Sequence, residues 1–326
     1  MNAVVPATLP VPAPTAAPVP NPGIAALAAA LRGVLSPDST VRTDEPLARR
    51  TTLRVGGPAD LLVEPANEPD LARTLSEARR ASVPWRILGR GSNLLVRDRG
   101  VRGLVISLQH PAFSAIEVDA GRGSIRAGAG ARLKDLAQTA RRHGLAGLEF
   151  LAGIPGSVGG ALRMNAGAWN SSTFERLVSV RYMAPDGTVH DRPASEIPFA
   201  YRRCELFKDH LALSAHFRGD SSTVEAVEAR LAELNQKRWA TQPAAPSAGC
   251  IFKNPPAIPA GKLVDELGLK GTRIGGAVVS TVHGNFIVNE GAATAADILA
   301  LIDLIRRTAR ERRGIELETE VEILGE

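Results

Sequence analysis

Two glycine-rich segments carry the clearest chemical signal in this sequence. The first is Gly89-Arg90-Gly91-Ser92-Asn93, between two short apolar stretches, and the second holds glycines 153, 156, 159 and 160. Glycine permits positive φ, so successive backbone N–H groups in such turns can converge on an anion. Each segment alone is equally well explained as a tight turn in a β-rich domain. Together, in a basic chain, they favour a ligand that carries a diphosphate.

The glycine spacing matches neither Gly-x-Gly-x-x-Gly nor the Walker pattern, so it supports neither a Rossmann fold nor a P-loop. The formal charge of +5 is compatible with a compositional bias or with a polyanionic ligand. Scattered arginines and an aromatic content of 4% argue against a nucleic-acid surface. Histidines and cysteines show no metal-ligand spacing, and no apolar run of about 20 residues predicts a membrane span.

Local patterns predict the elements that position these turns. Apolar periodicity and capping residues predict helices over residues 24–35, 68–81 and 133–143, from Ser222, and from Thr294 to Gly314. Short strands flank the first glycine turn. Mixed strands and helices without strict alternation predict an α+β protein with a break near residue 220. Residues 1–23 are proline-rich and lack a basic leader, so a disordered tail without a secretory signal is expected.

Six segments in order along residues 40–326 resemble one known family. They are Thr51-Thr52-Leu53-Arg54-Val55-Gly56-Gly57, Gly89-Arg90-Gly91-Ser92-Asn93-Leu94-Leu95-Val96, Gly153-Ile154-Pro155-Gly156-Ser157-Val158-Gly159-Gly160-Ala161, Tyr201-Arg202, residues 247–255 and residues 320–325. The chain resembles the UDP-N-acetylenolpyruvoylglucosamine reductase family, in its shorter type without an extra tyrosine loop. One such segment is weak evidence, and six in order are strong evidence.

The resemblance implies an FAD-binding domain like that of vanillyl-alcohol oxidases over residues 24–220, with subdomains at about 24–108 and 109–220. An α+β substrate-binding domain follows over residues 221–326, and its last strand, about 315–326, is expected to pack on the first subdomain. The resemblance also implies non-covalent FAD, NADPH as hydride donor and the enolpyruvyl ether of UDP-N-acetylglucosamine as substrate. A cytoplasmic enzyme of peptidoglycan precursor synthesis is therefore expected, without metal, nucleic-acid or membrane partners.

The same resemblance assigns binding residues. The cofactor set is Arg54, Gly89, Arg90, Gly91, Ser92, Asn93, Leu94, Gly153, Ile154, Pro155, Gly156, Ser157, Val158, Gly159, Gly160, Asn165, Ala166 and Gly167. The substrate set is Tyr201, Lys253, Asn254 and Lys262.

Three catalytic roles follow from the resemblance. Arg202 is expected to grip a carboxylate, and Cys250 is expected to donate a proton where the family usually carries serine. Glu320 is expected to assist protonation. Without the resemblance, the sequence does not distinguish Arg202 from Arg203. Cys250 would then be interpreted as a small, buried apolar residue, and Glu320 as an acid on a solvated strand edge.

Two other functions remain open at this level. A flavin oxidase could use the same cofactor domain, although no histidine or cysteine expected for a covalent flavin link is present. A non-catalytic anion or nucleic-acid binder would account for the basic charge alone.

Overall fold

The computed structural model describes residues 22–326. Most of the predicted tail, residues 1–21, lies outside this range. Residues 22 and 23 were also assigned to the tail, but they begin the first helix, whose first turn tolerates proline. No helix within the described range is long and apolar enough to cross a membrane.

The bounds of the elements are as follows. The helices are α1 (Pro22–Val34), α2 (Glu68–Arg80), α3 (Leu133–Arg142), α4 (Val158–Met164), α5 (Thr173–Arg176), α6 (Leu206–Asp209), α7 (Val224–Thr241), α8 (Ala260–Glu266) and α9 (Ala295–Arg313). The strands are β1 (Thr40–Pro46), β2 (Pro58–Glu64), β3 (Trp85–Leu88), β4 (Leu94–Val96), β5 (Val101–Ser107), β6 (Ile116–Asp119), β7 (Ser124–Gly128), β8 (Leu145–Ala146), β9 (Gly167–Ala168), β10 (Ser171–Ser172), β11 (Leu177–Met183), β12 (Val189–Pro193), β13 (Leu211–Arg218), β14 (Asp220–Ser221), β15 (Arg273–Ile274), β16 (Ala277–Val279), β17 (Ile287–Asn289) and β18 (Glu322–Leu324). Short 3₁₀ helices lie at Leu47–Arg50, Pro111–Phe113, Ala120–Arg122, Glu149–Gly153 and Ala194–Glu196.

The first sheet has the strand order β1-β2-β5-β3. Strand β1 is antiparallel to β2, whereas β2, β5 and β3 run parallel, and the connection from β2 to β3 contains α2. Asn67 caps α2 through a hydrogen bond from the Asp70 backbone N–H. Strand β3 ends at Leu88, immediately before the first glycine turn, and β4 follows that turn.

The second sheet is antiparallel, with the order β12-β11-β13-β7-β6. Its central strand, β13, is missing from the sequence prediction. Residues 211–215 are all buried, so the strand lacks the alternation that marks a half-exposed strand. Apolar side chains of both sheets and of α1 to α3 share one core. Val227 and Leu231 of α7 also pack against this core.

The C-terminal part contains the small sheet β15-β16-β17 with α8 and α9. Helix α9 has the predicted capping box of Thr294 and Asp297, and it ends at Gly314 in the left-handed conformation. Helix α7 is capped by Thr223, not by Ser222 as predicted, because the Thr223 hydroxyl accepts the Ala226 N–H.

The chain returns at its end to the first glycine turn. Strand β18 pairs in parallel with β4, with Glu322 opposite Leu94 and Leu324 opposite Val96. A second core joins Leu53, Val55 and Leu95 to residues of α8 and α9. Mixed sheets and helices confirm the predicted α+β class, and the proposed domain boundaries stay a prediction.

Candidate active site

One cleft is lined by both glycine turns and by all three predicted catalytic residues, Arg202, Cys250 and Glu320. Residues 89–94 form part of one wall, and residues 153–157 and 159–161 form part of another. Segments more than 200 residues apart in sequence therefore meet at one site.

The two glycine turns lie against each other. A Cβ on Gly89 would lie 3.1 Å from the Ser157 hydroxyl, and one on Gly156 would lie 3.2 Å from the Ser92 hydroxyl. At Gly91 a side chain is excluded, because φ is +62° and a Cβ would lie 2.2 Å from the Arg50 carbonyl oxygen. The first turn therefore needs glycine for its own conformation.

The seryl hydroxyls in these turns are available to a ligand. Those of Ser92 and Ser157 make no hydrogen bond to any residue in 22–326, although Ser157 is only 4% exposed. Both hydroxyls can donate a hydrogen bond, and the oxygen atoms of an anion in the cleft would accept it. The cleft therefore fits the diphosphate of a dinucleotide such as FAD.

Arg202 lies in a tight turn in which Ala200 and Arg203 exchange backbone hydrogen bonds. Its φ is +55°, a left-handed conformation that costs a non-glycine residue about 1 kcal/mol or more. The Asn165 amide holds the turn by donating to the Ala200 carbonyl oxygen at 3.2 Å. Arg203 points away and pairs with Glu205 on the surface. The structure therefore distinguishes two arginines that the local sequence does not.

The Arg202 guanidinium is oriented by two acceptors. Its Nε donates to Glu320 Oε1 at 2.8 Å, and its Nη2 donates to the Gly167 carbonyl oxygen at 3.0 Å. The guanidinium has five N–H donors, so several remain for a ligand carboxylate. Burial raises the pKa of Glu320, and the charge and hydrogen bond of Arg202 oppose that shift without cancelling it.

Cys250 lies on a segment held between two others. The neighbouring Ile251 donates its N–H to the Asn285 carbonyl oxygen and accepts the Glu320 N–H, both at 2.8 Å. Cys250 is a free, half-buried thiol. Burial, and next the negative charge of Glu320, raise the pKa of this thiol to about 12. The thiol is therefore protonated at neutral pH, as a proton donor must be.

Some residues assigned to FAD by sequence lie outside the cleft lining. Arg54 is exposed, and Val158 is fully buried. Asn165 is buried, and its side chain joins the Ala200 carbonyl oxygen to the Phe174 N–H. Within this structure these three residues support the site or lie beside it.

The four predicted substrate residues also lie outside the lining. Tyr201 is 54% exposed, and the Arg202 guanidinium lies over its ring, 4.8 Å from Cζ to the ring centre. Lys253 pairs with Glu318, and Lys262 lies near Glu266. The Asn254 side chain accepts the Ala260 N–H at the start of α8.

Sequence reasoning assigned no role to several residues that line the cleft. Arg163 and Glu322 form an ion pair at 2.9 Å, and Arg238 enters from the end of α7. The sequence did contain a signal for Glu322, because acids alternate along residues 316–322. Residues two apart on an extended segment lie on the same face, so Glu322 shares a face with Glu320.

Comparisons with known proteins identify the family. A model for the C-terminal domain of UDP-N-acetylenolpyruvoylglucosamine reductase matches residues 242–324, and a model for an FAD binding domain matches residues 59–192. The UDP-N-acetylenolpyruvoylglucosamine reductase of Pelobacter propionicus is 44% identical over 284 residues, covering 87% of this chain and 95% of that protein. That of Moorella thermoacetica is 45% identical over 287 residues, covering 88% and 94%. The chain belongs to the UDP-N-acetylenolpyruvoylglucosamine reductase family.

A solved structure agrees with this membership. The crystal structure of the reductase from Thermus caldophilus has a TM-score of 0.76 and 39% identity, covering 88% of this chain and 99% of that one. The predicted family is confirmed, and so is the predicted FAD-binding domain followed by the C-terminal domain of this reductase family. As a member of the reductase family with this domain, the chain is a flavoprotein oxidoreductase. The reductase names of these relatives lend no support to an oxidase or a non-catalytic binder.

Proposed function

We propose that this protein reduces the enolpyruvyl ether of UDP-N-acetylglucosamine to the lactyl ether of UDP-N-acetylmuramate, with NADPH as the hydride source. The observation that carries the proposal is the meeting of Arg202, Glu320 and Cys250 in the cleft lined by both glycine turns. Those turns would hold FAD, and the bound cofactor would supply the transfer of hydride from NADPH to the methylene carbon of the substrate.

Arg202 binds the substrate carboxylate in this proposal. Glu320 and the Gly167 carbonyl oxygen fix the plane of the guanidinium, and the remaining N–H donors can grip a carboxylate bidentately. Hydride addition at the methylene carbon moves negative charge toward that carboxylate, where the guanidinium stabilises it. Because Arg202 is already oriented by the fold, it needs little rearrangement when the charge develops.

Cys250 donates the proton that completes the reduction at the α-carbon. The pKa of its thiol, about 12, keeps the proton in place until a strongly basic carbanion-like centre forms beside it. The thiolate that remains lies near the positive charge of Arg202, which lowers the same pKa. Glu320 aligns Arg202, and its raised pKa suits a group that assists the return of a proton to the thiolate.

The remaining assignments belong to this proposal as well. The FAD-binding part comprises residues 24–220, with subdomains at about 24–108 and 109–220, and the substrate-binding part comprises residues 221–326. The pairing of β18 with β4 supports a return of the C-terminus to the first subdomain. A role in peptidoglycan precursor synthesis in the cytoplasm follows from the proposed substrate.

The test is anaerobic mixing of the purified yellow protein, first with NADPH and then with the enolpyruvyl nucleotide-sugar, while flavin absorbance is followed. We expect bleaching by NADPH and recovery on addition of the substrate, with one lactyl product per flavin. Arg202→Met should bleach normally and recover slowly, whereas the surface control Arg203→Met should behave as wild type. Reduced flavin that recovers with oxygen but not with the substrate would contradict the proposal.

A further inference from the structure

The charges that line the cleft do not balance. Four arginines face two glutamates there. Arg202 pairs with Glu320 and Arg163 pairs with Glu322. The other two arginines, one from the first glycine turn and one from α7, have no carboxylate partner among residues 22–326. They are Arg90 and Arg238.

Arg90 is in the turn expected to hold the cofactor. Its Nη1 has one long hydrogen bond, to Gln109 at 3.5 Å, and the Gln109 amide in turn donates to the Gly89 carbonyl oxygen. Burial, and next the positive charge of Arg132, lower the pKa of Arg90, and the negative charge of Asp135 opposes them without cancelling the shift. Asp135 forms no ion pair with Arg90, so the guanidinium lacks a directly bonded anion among residues 22–326.

Arg238 lines the cleft from near the C-terminal end of α7. Its guanidinium reaches the second glycine turn, since a Cβ built on Gly153 would lie 3.6 Å from Nη1. The side chain makes no hydrogen bond, ion pair or ring contact with any described residue. Burial alone lowers the pKa of this group, because no neighbouring anion opposes it.

A half-buried guanidinium without an anion is unfavourable, because it loses hydration and gains no partner. The neighbouring charges on α7 show the alternative. Arg230 and Lys237 are about half exposed and pair with Glu233. Arg238 therefore differs from the basic residues of its own helix in both burial and pairing.

We infer that Arg238 is a ligand to negative charge on the bound flavin dinucleotide, together with Arg90. The inference rests on the proposed function, because it requires FAD in this cleft. Two guanidiniums without an ion-pair partner among the described residues match the two negative charges of a dinucleotide diphosphate. The reduced flavin ring is a second anionic group of the same ligand, so the experiment separates the diphosphate from the ring. In either case α7, which lies after the matched FAD-binding segment, contributes to cofactor binding.

The test compares Arg238→Met, Arg238→Lys and the same-helix control Arg230→Met. For each, the dissociation constant of FAD and the midpoint potential of the bound flavin are measured. For a diphosphate ligand, Arg238→Met should weaken FAD binding about tenfold or more, Arg238→Lys should weaken it less, and the potential should stay unchanged. For a ligand of the reduced ring, the potential should fall while oxidised FAD binds with nearly wild-type affinity. Arg230→Met should change neither quantity.

Unchanged affinity and potential in Arg238→Met would overturn the inference, and a raised KM for NADPH or the nucleotide-sugar would then place Arg238 on a substrate phosphate. If Arg230→Met bound FAD as weakly as Arg238→Met, the inference would also be overturned, because the loss of affinity would then come from lower helix stability. Wild-type protein that holds FAD and turns over keeps the proposed function intact in both cases.

Discussion

The pH dependence of proton donation by Cys250 gives the sharpest test of the proposed chemistry. An ordinary thiol with a pKa of 9.0 would keep its proton in about a tenth of molecules at pH 10. With a pKa of about 12, Cys250 keeps its proton in about 99% of molecules at that pH. The two cases differ by about tenfold in the concentration of the proton donor.

The assay is single-turnover reoxidation of NADPH-reduced protein by the enolpyruvyl substrate, in an anaerobic stopped-flow instrument between pH 7 and pH 10. We expect the rate to stay nearly constant over this range if Cys250 is the donor. Cys250→Ala should slow reoxidation by about 10²- to 10⁴-fold, the usual contribution of a positioned general acid, and should leave flavin reduction intact. Cys250→Ser should retain substantial activity.

Cys204→Ser is the matched control, because Cys204 is a buried thiol outside the cleft lining and only two residues from Arg202. It should leave both half-reactions unchanged. A tenfold fall in the wild-type rate between pH 8 and pH 10, with an apparent pKa near 9 that Cys250→Ser abolishes, would refute the buried-donor argument. Reoxidation of Cys250→Ala at the wild-type rate would remove Cys250 from the mechanism altogether.

Three further substitutions test the surrounding structure. Glu320→Gln removes the countercharge of Arg202, the residue that we propose binds the substrate carboxylate. This change should slow reoxidation by about 10²- to 10³-fold in the same stopped-flow assay while leaving bleaching by NADPH intact. Asp98→Ala removes the acceptor of two N–H groups at the start of α9, and should lower the free energy of unfolding in urea by about 0.5–2 kcal/mol without changing the flavin spectrum. Burial would raise the pKa of Asp70, but hydrogen bonds from Ser36 and Ser39 outweigh it and hold that pKa below its ordinary value. The Asp70 carboxylate therefore stabilises the fold fully at pH values above its unfolded-state pKa, near 3.9. This stabilisation is lost as the pH falls through the lower pKa of the folded state. The free energy of unfolding of Asp70→Asn should therefore depend less on pH below about 4 than that of the wild type.

The sequence predicts the features that are determined by residues close together in the chain. Helices α2 and α9 are predictable because Asn67 and Thr294 satisfy N–H groups only three residues away. Strand β13 is not predictable in this way, because burial along residues 211–215 removes the periodic signal. Its place in the sheet depends on pairing with β7, more than 80 residues earlier.

The candidate site likewise combines features set by residues close in sequence with features set by distant ones. Both glycine turns could be predicted as anion-binding turns, since glycine conformation is a local property, and that role stays a prediction. The choice of Arg202 over Arg203 depends on a turn held by the Asn165 amide and on a carboxylate 118 residues later. Asn254 is predicted to bind substrate from the family resemblance, whereas in the structure its side-chain oxygen accepts the Ala260 N–H.

The first glycine turn and the carboxylate at Glu320 are parts of one hydrogen-bonded unit. The Asn93 amide donates to the Glu320 carbonyl oxygen at 3.0 Å, and the Asn93 carbonyl oxygen accepts the Glu322 N–H at 3.0 Å. Glu320 in turn donates its N–H to Ile251, the neighbour of Cys250. Two hydrogen bonds, from the Asn93 side chain to Glu320 and from the Glu320 N–H to Ile251, therefore connect the first glycine turn to the neighbour of Cys250. If Cys250 is the proton donor and this turn binds FAD, as we propose, these bonds would position the thiol relative to a turn some 160 residues earlier in the chain, although its own segment has no regular secondary structure.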